Sequence, residues 1–207
     1  MELMARYPDN YFDLAIVDPP YGISENSYMK KTPKKAASKK TKYHDALWGQ
    51  DKPTQKYFKE LFRVSKNQII WGGNYFLENL SSSRCFIVWD KKSEKSQQVA
   101  DCELAWTSFD SSVKKFSFRW NGMLQENMKN KEIRIHPTQK PCKLYEWLLM
   151  NYAKEGDKIL DTHLGSMSIA IACHNLGFEL TGCELDKEYY DQGIKRVKNH
   201  IAQQRLF

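Results

Sequence analysis

The stretch IVDPPYGI, residues 16–23, carries an apolar segment into an acid, two prolines and an aromatic residue. A strand cannot continue through Pro19 and Pro20, because neither has a backbone N–H to donate to a neighbouring strand. The nearly continuous apolar run FDLAIVD, residues 12–18, is typical of a parallel strand buried on both faces. We therefore expect a strand that delivers Asp18 to its carboxyl end, with a sharp turn directly after it.

Strand and helix patterns alternate along the rest of the chain. Further strands are predicted within 67–71, 84–90, 158–161 and 179–185, and antiparallel or edge strands within 101–109 and 113–120. Helices are predicted over 51–65, capped by Asp51, over 141–156, ended by Gly156, over 166–177, ended by Gly177, and over 187–203. This alternation predicts an α/β fold with a mostly parallel twisted sheet and helices on both faces. We expect one domain over residues 1–207.

The positive charge of the chain is concentrated in one segment. The formal net charge is +7, and KKTPKKAASKKTK, residues 30–42, holds seven lysines and no acid, so the rest of the chain is formally neutral. This segment lies in a predicted long loop, residues 24–50, and loops of that length are usually functional or disordered. The lysines indicate either a loop that grips a phosphate backbone or a solvated loop that aids solubility, and composition favours neither.

Composition excludes several classes of protein. The five cysteines are scattered and lack a CxxC pair, which argues against a disulfide framework and a zinc ribbon and favours a reducing cytoplasm. The histidines show no metal-ligand spacing, so no metal is expected. No run is apolar enough to span a bilayer, and the N-terminus has no signal-peptide core. The sequence predicts a soluble cytoplasmic protein without a membrane partner.

A nucleotide site is indicated in the second half. DTHLGSMS, residues 161–168, joins a predicted strand to a predicted helix, and GCELD, residues 182–186, ends the next strand about twenty residues later. In an open α/β sheet such a turn admits a ligand, and the later acid, here Glu184, binds ribose hydroxyls. A GxGxxG fingerprint is absent, which disfavours NAD and FAD. The alternative is an ordinary turn between a strand and a helix.

Several motifs together resemble the S-adenosylmethionine-dependent amino-methyltransferases of DNA. They are DPPY (18–21), IIWGGNYF (69–76), FIVWDK (86–91), HPTQKP (136–141), DTHLGS (161–166) and the GCELD acid. They follow the order of the circularly permuted class, in which the catalytic motif precedes the cofactor motif. The resemblance implies a permuted Rossmann-like methyltransferase fold, S-adenosylmethionine as cofactor, and site-specific methylation of adenine N6 in duplex DNA, as in restriction–modification.

The resemblance also assigns roles to residues. The Asp18 side chain and the Pro19 carbonyl accept hydrogen bonds from the target amino group, Pro20 stiffens the turn, and Tyr21 stacks on the flipped base. The cofactor-binding candidates are Asp18, His136, Thr138, Lys140, Asp161, His163, Gly165, Ser166 and Glu184. The candidates for DNA contact are Lys34, Lys35, Lys39, Lys40, Trp71, Asn74, Lys114, Lys115 and Arg119. Target recognition is expected within 24–50 and 108–132, the stretches least similar to the family.

The chain departs from the family's pattern in two places. The usual turn reads DPFxGSG, whereas Thr162, His163 and Met167 stand here at the second, third and last positions. Met167 is expected either to crowd the cofactor or to pack beneath it. The family also has a strand before its first helix, and this chain begins within that helix. We therefore expect either a truncated copy or a sheet one strand short, and the residue that binds the cofactor adenine is not assigned.

Alternative functions remain open at this point. DPPY favours adenine, but cytosine N4 is the alternative target, and RNA is an alternative substrate. A catalytically degenerate DNA-binding relative is a further alternative, motivated by His163 and Met167. Methylation of cytosine C5 needs a Pro-Cys nucleophile, and Pro141–Cys142 is disfavoured for this role because it lies at a predicted helix start. The resemblance also implies a bacterial or phage origin, a homodimer and a cognate restriction endonuclease.

Overall fold

The computed structural model of the protein describes residues 1–22, 51–93, 100–121 and 124–203. The predicted lysine loop, residues 24–50, lies outside the described residues, and so do the DNA-contact candidates Lys34, Lys35, Lys39 and Lys40. In the described part of the chain, no helix is long and apolar enough to cross a bilayer. All five cysteines are among the described residues, and each is a free thiol.

Strands and helices alternate through the described residues. The strands are β1 (Phe12–Val17), β2 (Ser65–Trp71), β3 (Phe86–Asp90), β4 (Cys102–Thr107), β5 (Lys114–Ser117), β6 (Trp120–Asn121), β7 (Leu124–Gln125), β8 (Lys158–Asp161) and β9 (Glu179–Gly182). The helices are α1 (Gln55–Val64), α2 (Cys142–Tyr152), α3 (Ser168–Leu176) and α4 (Lys187–Ala202). Short 3₁₀ turns occur at Met4–Arg6, Gly73–Tyr75 and Leu77–Asn79.

The described residues form a seven-stranded sheet in the order β5-β3-β4-β2-β1-β8-β9. β1 is parallel to both of its neighbours, with Val17 paired to Ile70 of β2 and Ala15 paired to Leu160 of β8. After β1 the chain continues to β2, which lies on one side of β1, whereas β8 and β9 lie on the other side of β1. The carboxyl ends of β1 and β8 therefore flank a topological switch point, where open α/β sheets bind their ligands.

The apolar core lies on both faces of this sheet. Leu14 and Ile16 of β1 belong to a cluster with residues of α2 and α3, whereas Ala15 and Val17 belong to a cluster with residues of α1. This division follows from the alternation of side chains along a strand. It explains why β1 is almost entirely apolar, because helices cover both of its faces. The predicted mostly parallel α/β sheet is confirmed.

Of the two strands predicted as antiparallel or edge strands, one is antiparallel and the other is an edge strand. β4 lies between β2 and β3 and is antiparallel to both. β5 lies at the edge of the sheet and is parallel to β3. The predicted strand 113–120 ends early because Trp120 leaves the sheet and pairs with Gln125 in the short β6–β7 hairpin, which the sequence did not indicate.

Two predicted helix boundaries are wrong. α1 begins at Gln55 after an extended Thr54, and among the described residues no side chain, including that of Asp51, caps it. α2 ends at Tyr152 because Ala153 is extended, with ψ of 156°. Gly156, with φ of +84°, instead lies in the turn before β8. Gly177 does end α3 as predicted, because its φ of +75° is left-handed and favours glycine.

Candidate active site

Two carboxylates lie at the carboxyl ends of neighbouring parallel strands. Asp18 directly follows β1, and Asp161 is the last residue of β8. Burial raises the pKa of Asp161 to about 8, and the nearby charges of Asp18 and Glu184 contribute to the rise. A free protein at neutral pH therefore keeps a proton on Asp161. Three carboxyl groups, those of Asp18, Asp161 and Glu184, lie close enough to interact at the switch point.

Both oxygens of the Asp18 carboxylate have donors. The Tyr21 hydroxyl donates to Oδ1 at 2.6 Å, and the Lys140 ammonium donates to Oδ2 at 2.5 Å. The Asp18 side chain is 16% exposed and that of Lys140 is 4% exposed. The predicted catalytic acid thus meets a residue of the HPTQKP motif that is 122 positions away in the chain.

Tyr21 is held by its ring as well as by its hydroxyl. The ring stacks on Tyr75, with centroids 4.9 Å apart and planes 17° apart. It lies directly over Gly72, whose φ is +67°, and a methyl group added there would come within 2.1 Å of the ring. Burial, together with the charge of Asp18, raises the pKa of Tyr21 well above its usual value. The hydroxyl is therefore a neutral donor, and Gly72 is required for its position.

Lys140 lies between two carboxylates. Its Nζ is 3.1 Å from Oε2 of Glu103 on β4, in addition to its contact with Asp18, and 5.3 Å from the centroid of the Trp71 ring. Burial acts to lower the pKa of Lys140, but the charges of Asp18 and Glu103 outweigh burial and raise it. Glu103 was missed by the sequence analysis. The one available signal was an acid inside an otherwise apolar strand pattern.

The HPTQKP loop is fixed by its own glutamine. The Gln139 amide accepts the Ile135 N–H at 2.9 Å and donates to the Ile133 carbonyl at 3.3 Å. The Trp120 indole donates to the Gln139 carbonyl at 2.7 Å, and Ser168 of α3 donates to the Lys140 carbonyl at 2.7 Å. The backbone that carries Lys140 is therefore anchored on both sides, by the β6–β7 hairpin and by α3.

His136 lies against the predicted cofactor turn. A methyl group added at Gly165 would be 3.6 Å from the imidazole, and the ring meets Tyr189 of α4 edge-on with centroids 4.4 Å apart. Thr138 Oγ1 is 3.1 Å from His136 Nδ1. Burial lowers the pKa of His136 to about 4, so the ring is neutral at pH 7. The structure thus brings the HPTQKP motif and the turn after β8 together.

Backbone hydrogen bonds to carboxylates shape the turn after β8. Asp161 Oδ1 accepts the His163 N–H at 2.8 Å. Glu184 accepts the Gly165 N–H at 2.8 Å with Oε2 and the Asp186 N–H at 2.9 Å with Oε1. Glu184, the predicted ribose-binding acid, therefore joins the turn after β8 to the loop after β9.

The residues that depart from the family's turn make their own contacts. Thr162 Oγ1 lies 2.8 Å from the Tyr57 hydroxyl of α1 and 2.9 Å from His163 Nδ1. Burial lowers the pKa of His163 to about 4. Met167 adopts a left-handed φ of 58°, is buried, and packs against Gly193 of α4. The Met167 side chain is thus directed into the contact between the turn and α4.

Ser166 and Cys142 belong to a partly buried polar cluster around Arg196. The Arg196 guanidinium donates to the Ser166 carbonyl at 2.7 Å and to Glu132 at 2.6 Å. The Cys142 thiol donates to Glu132 at 3.3 Å. Burial, together with the charge of Glu132, raises the pKa of Cys142 to about 12. Since the thiolate is the nucleophilic form, Cys142 is unsuited to attack cytosine C5.

The predicted DNA-contact residues in the described part of the chain are dispersed. Trp71 is fully buried in the core beneath Lys140, so the structure does not place it at a surface that DNA could reach. Asn74, Lys114 and Lys115 are exposed, and Lys115 lies 3.5 Å from Asp90. Lys114 and Lys115 are on β5, which is separated from β1 by β3, β4 and β2. Arg119 is partly buried next to the β6–β7 hairpin.

A mostly parallel sheet with this switch point, and with acids at the carboxyl ends of two neighbouring strands, is an architecture that binds ligands at that edge. The sequence profile of the N6/N4 DNA methylase family matches residues 78–195, more than half of the chain. The chain belongs to this family.

Curated relatives support the same family. The chain is 37% identical over 72 residues to the type II methyltransferase M.HpaI of Haemophilus parainfluenzae, which takes in 35% of this chain and 23% of that protein. It is 31% identical over 138 residues to the type II methyltransferase M2.DpnII of Streptococcus pneumoniae, which takes in 64% of this chain and 50% of that protein. The chain spans half the length or less of these relatives.

The fold is similar to those of solved methyltransferases. The M1.HpyAVI–SAM complex matches with a TM-score of 0.54 and 22% identity, over 90% of this chain and 89% of that chain. The cytosine-N4-specific PvuII DNA methyltransferase matches with a TM-score of 0.58 and 13% identity, over 96% of this chain and 87% of that chain. At these identities the likeness concerns the fold.

Proposed function

We propose that the protein transfers a methyl group from S-adenosylmethionine to the exocyclic N6 of an adenine flipped out of duplex DNA. The observation that carries this proposal is the meeting of Asp18, with its rigid Pro-Pro turn, and Asp161 at the switch point of the sheet. Asp18 precedes Asp161 in the chain, which is the order of the circularly permuted class. The proposed partner is duplex DNA, and a homodimer and a cognate endonuclease stay predictions.

The charge of the site suits a cationic cofactor. Asp18, Asp161 and Glu184 lie close enough that the charges of Asp18 and Glu184 contribute to the raised pKa of Asp161. S-adenosylmethionine carries a sulfonium cation and an ammonium group, and either would reduce the repulsion among these carboxylates. Asp161 and Glu184 would hold the cofactor, with His136 and Gly165 lining its site. When bound, the cofactor supplies an activated methyl group.

Asp18 has the chemistry to make the target nitrogen nucleophilic. The lone pair of an exocyclic amino group is delocalised into the base, and two acceptors on its hydrogens favour a tetrahedral nitrogen. The Asp18 carboxylate and the Pro19 carbonyl are the proposed acceptors, so they stabilise the transition state more than the ground state. No covalent enzyme intermediate is required, which agrees with the raised pKa of the Cys142 thiol.

Tyr21 is the residue that must move. Its hydroxyl occupies Asp18 Oδ1 and its ring occupies the face of Tyr75. We propose that the incoming amino group replaces the hydroxyl on Oδ1 while the Tyr21 ring stacks on the base. Lys140 keeps Oδ2 throughout, because its side chain is almost fully buried. Extrusion of the base costs roughly a few kcal/mol, which stacking on an aromatic ring partly returns.

The direct test is the identity of the methylated base. Duplex DNA of mixed sequence would be incubated with the protein and S-adenosylmethionine carrying a labelled methyl group, then digested to nucleosides and separated. Label in N6-methyl-2′-deoxyadenosine supports the proposal, and label in N4-methyl-2′-deoxycytidine transfers it to the other base of the family. Label that appears with single-stranded RNA but not with duplex DNA, or no label at all, contradicts it.

The lysine segment is proposed to hold the DNA backbone. Replacement of Lys34, Lys35, Lys39 and Lys40 by Ser should weaken DNA binding and reduce its salt dependence, since each lost phosphate contact reduces the number of released counterions. The measurement is the slope of log affinity against log salt concentration. An unchanged affinity and slope would leave the segment as a solubility loop.

A further inference from the structure

We infer that Glu103 is a positioning residue for the proposed methyl transfer, and that it acts by fixing the Lys140 ammonium against Asp18. The inference rests on the proposed function, because Asp18 is the group whose geometry Glu103 controls. Nothing in the sequence motifs singles out Glu103. Its assignment comes from the contacts of its carboxylate, with Lys140 on one oxygen and Lys91 on the other.

The strand register brings Glu103 to the catalytic edge of the sheet. β4 is antiparallel to β2, and its Ala105 pairs with Trp71, the last residue of β2. Glu103 is two residues nearer the start of β4, so it lies beyond the carboxyl end of β2. Asp18 follows Val17, which pairs with Ile70 of β2. An antiparallel strand inside a mostly parallel sheet is what allows an acid at a strand start to meet residues at strand ends.

Four side chains form a row of alternating charge, which we call the charge row: Lys91, Glu103, Lys140 and Asp18. The Lys91 ammonium contacts Glu103 Oε1, the Lys140 ammonium is 3.1 Å from Glu103 Oε2, and it is 2.5 Å from Asp18 Oδ2. The outer pair is more exposed, at 20% for Lys91 and 23% for Glu103, than the inner pair, at 4% for Lys140 and 16% for Asp18. The row thus connects the protein surface to the buried side of Asp18.

Glu103 supplies a second anchor that Lys140 needs. In the proposed reaction Asp18 exchanges the Tyr21 hydroxyl for the target amino group, so its carboxylate must rotate or shift on one side. A lysine paired with Asp18 alone would follow that movement. With Glu103 on a second side and the Trp71 ring 5.3 Å away on a third, the Lys140 ammonium stays in place and keeps Oδ2 fixed. Oδ1 is then the oxygen left for the amino group.

The electrostatics of the charge row support this geometry. Burial acts to raise the pKa of Glu103, but the charges of Lys140 and Lys91 outweigh burial and lower it to about 2. Among the described residues, His136 and Asp161 interact electrostatically with Lys140, and Tyr21 and Tyr145 of α2 interact with its partners Asp18 and Glu103. Burial raises the pKa of Tyr21 and Tyr145, lowers that of His136 to about 4 and raises that of Asp161 to about 8. Near neutral pH, therefore, the charge on Lys140 is balanced chiefly by Asp18 and Glu103.

The test compares Glu103→Gln with a matched change elsewhere. Asp191→Asn removes the acid of another lysine pair, Lys187–Asp191, which lies on the exposed surface of α4 with 2.6 Å between its charged atoms. Lys140 would be titrated by NMR on protein labelled at the lysine ε-carbons, without cofactor. We expect its pKa to fall by about one unit or more in Glu103→Gln, since a buried counterion is lost, and to stay at the wild-type value in Asp191→Asn.

Kinetics test the positioning role. In Glu103→Gln we expect kcat to fall about tenfold or more and the alkaline limb of its pH profile to move to lower pH with the Lys140 pKa, because the reaction needs the ammonium form. Affinity for S-adenosylmethionine should stay within about twofold of wild type, which separates positioning from cofactor binding. Equal losses in affinity and kcat, with an unshifted profile, would overturn the inference.

A second variant, Lys91→Met, tests the inference even if Glu103→Gln does not fold. Lys91→Met keeps Glu103 and removes its outer partner, so the Lys140 pKa should remain at or above the wild-type value. A fall in that pKa would overturn the inference.

The proposed function and the role of Glu103 can be contradicted separately. A wild-type protein that methylates no nucleic acid contradicts the proposed function, whereas an unchanged Lys140 titration in Glu103→Gln contradicts the role of Glu103 whatever the activity.

Discussion

Tyr21 donates its hydroxyl to Asp18 Oδ1 at 2.6 Å while its ring stacks on Tyr75. The first and last residues of the DPPY motif are thus hydrogen-bonded to each other in the protein without ligands. The partner of Oδ2 is Lys140. Unlike the Tyr21 hydroxyl, the Lys140 ammonium is buried and also contacts Glu103. Asp18 therefore has one exchangeable donor and one fixed donor.

Removal of the Tyr21 hydroxyl and removal of the Tyr21 ring should have different effects on methylation activity. Tyr21→Phe removes the donor that competes for Oδ1 but keeps the stacking surface, so we expect kcat within about threefold of wild type and no increase in KM for DNA. Tyr21→Ala removes the surface on which the base stacks, and the loss of roughly 1–3 kcal/mol corresponds to about fivefold to 150-fold in kcat/KM. Steady-state methylation of one duplex checks both. Equal losses in the two variants would show that the hydroxyl, not the ring, carries the role.

Gly72→Ala should displace Tyr21. The added methyl group would lie 2.1 Å from the ring, and the φ of +67° strains any L side chain. Gly156→Ala is the matched control, because its φ of +84° imposes the same kind of strain while, among the described residues, no atom beyond its chain neighbours lies within 4 Å of the added methyl group. We expect Gly156→Ala to lower the free energy of unfolding by about 1 kcal/mol and Gly72→Ala by about 1 kcal/mol more. Denaturant titration measures both, and equal losses would contradict the ring contact.

Asp18→Ala should uncouple catalysis from cofactor binding. The variant loses an acceptor needed in the transition state, so turnover should fall below detection, whereas Asp161 and Glu184 remain to bind S-adenosylmethionine. Calorimetric titration of the cofactor and a methylation assay on the same preparation give the two values. A parallel loss of binding and turnover would remove Asp18 from its assigned catalytic role.

Binding of S-adenosylmethionine should release a proton. Burial raises the pKa of Asp161 to about 8, so the folded free protein binds a proton there at pH 7 that the unfolded chain does not. The stability contributed by this group therefore falls as pH rises from about 4 to about 8. A cationic ligand lowers the same pKa, so binding at pH 7 should release close to one proton. Calorimetry in two buffers with different ionisation enthalpies measures it, and the release should vanish in Asp161→Asn.

The sequence could predict what depends on local pattern. The apolar run before Pro19 and Pro20 predicted β1 and the position of Asp18, and the alternation of apolar segments predicted the mostly parallel sheet. Gly177 predicted the end of α3 because a left-handed residue is required there. Gly156 misled because a glycine at a turn and a glycine at a helix end have the same signature in sequence.

What could not be predicted depends on contacts between distant segments. Glu103 meets Lys140 only because β4 inserts, antiparallel, between β2 and β3. Trp71 was expected to contact DNA, but the strands and helices around it enclose it completely. The direction of the Met167 side chain was likewise undecided until the contact with Gly193 was known. In each case the tertiary arrangement, and not the residue type, decides the role.

The adjacency of β1 and β8 also bears on how the chain folds. Asp18 and Asp161 stand 143 positions apart (161 − 18), yet they follow neighbouring strands of one sheet. During synthesis β1 emerges long before β8 and has an unpaired apolar edge in the interval, which exposes the nascent chain to aggregation. Folding dominated by such long-range strand pairing is slow. The separation that lets two distant motifs share a site also means that the site cannot assemble until β8 has paired with β1.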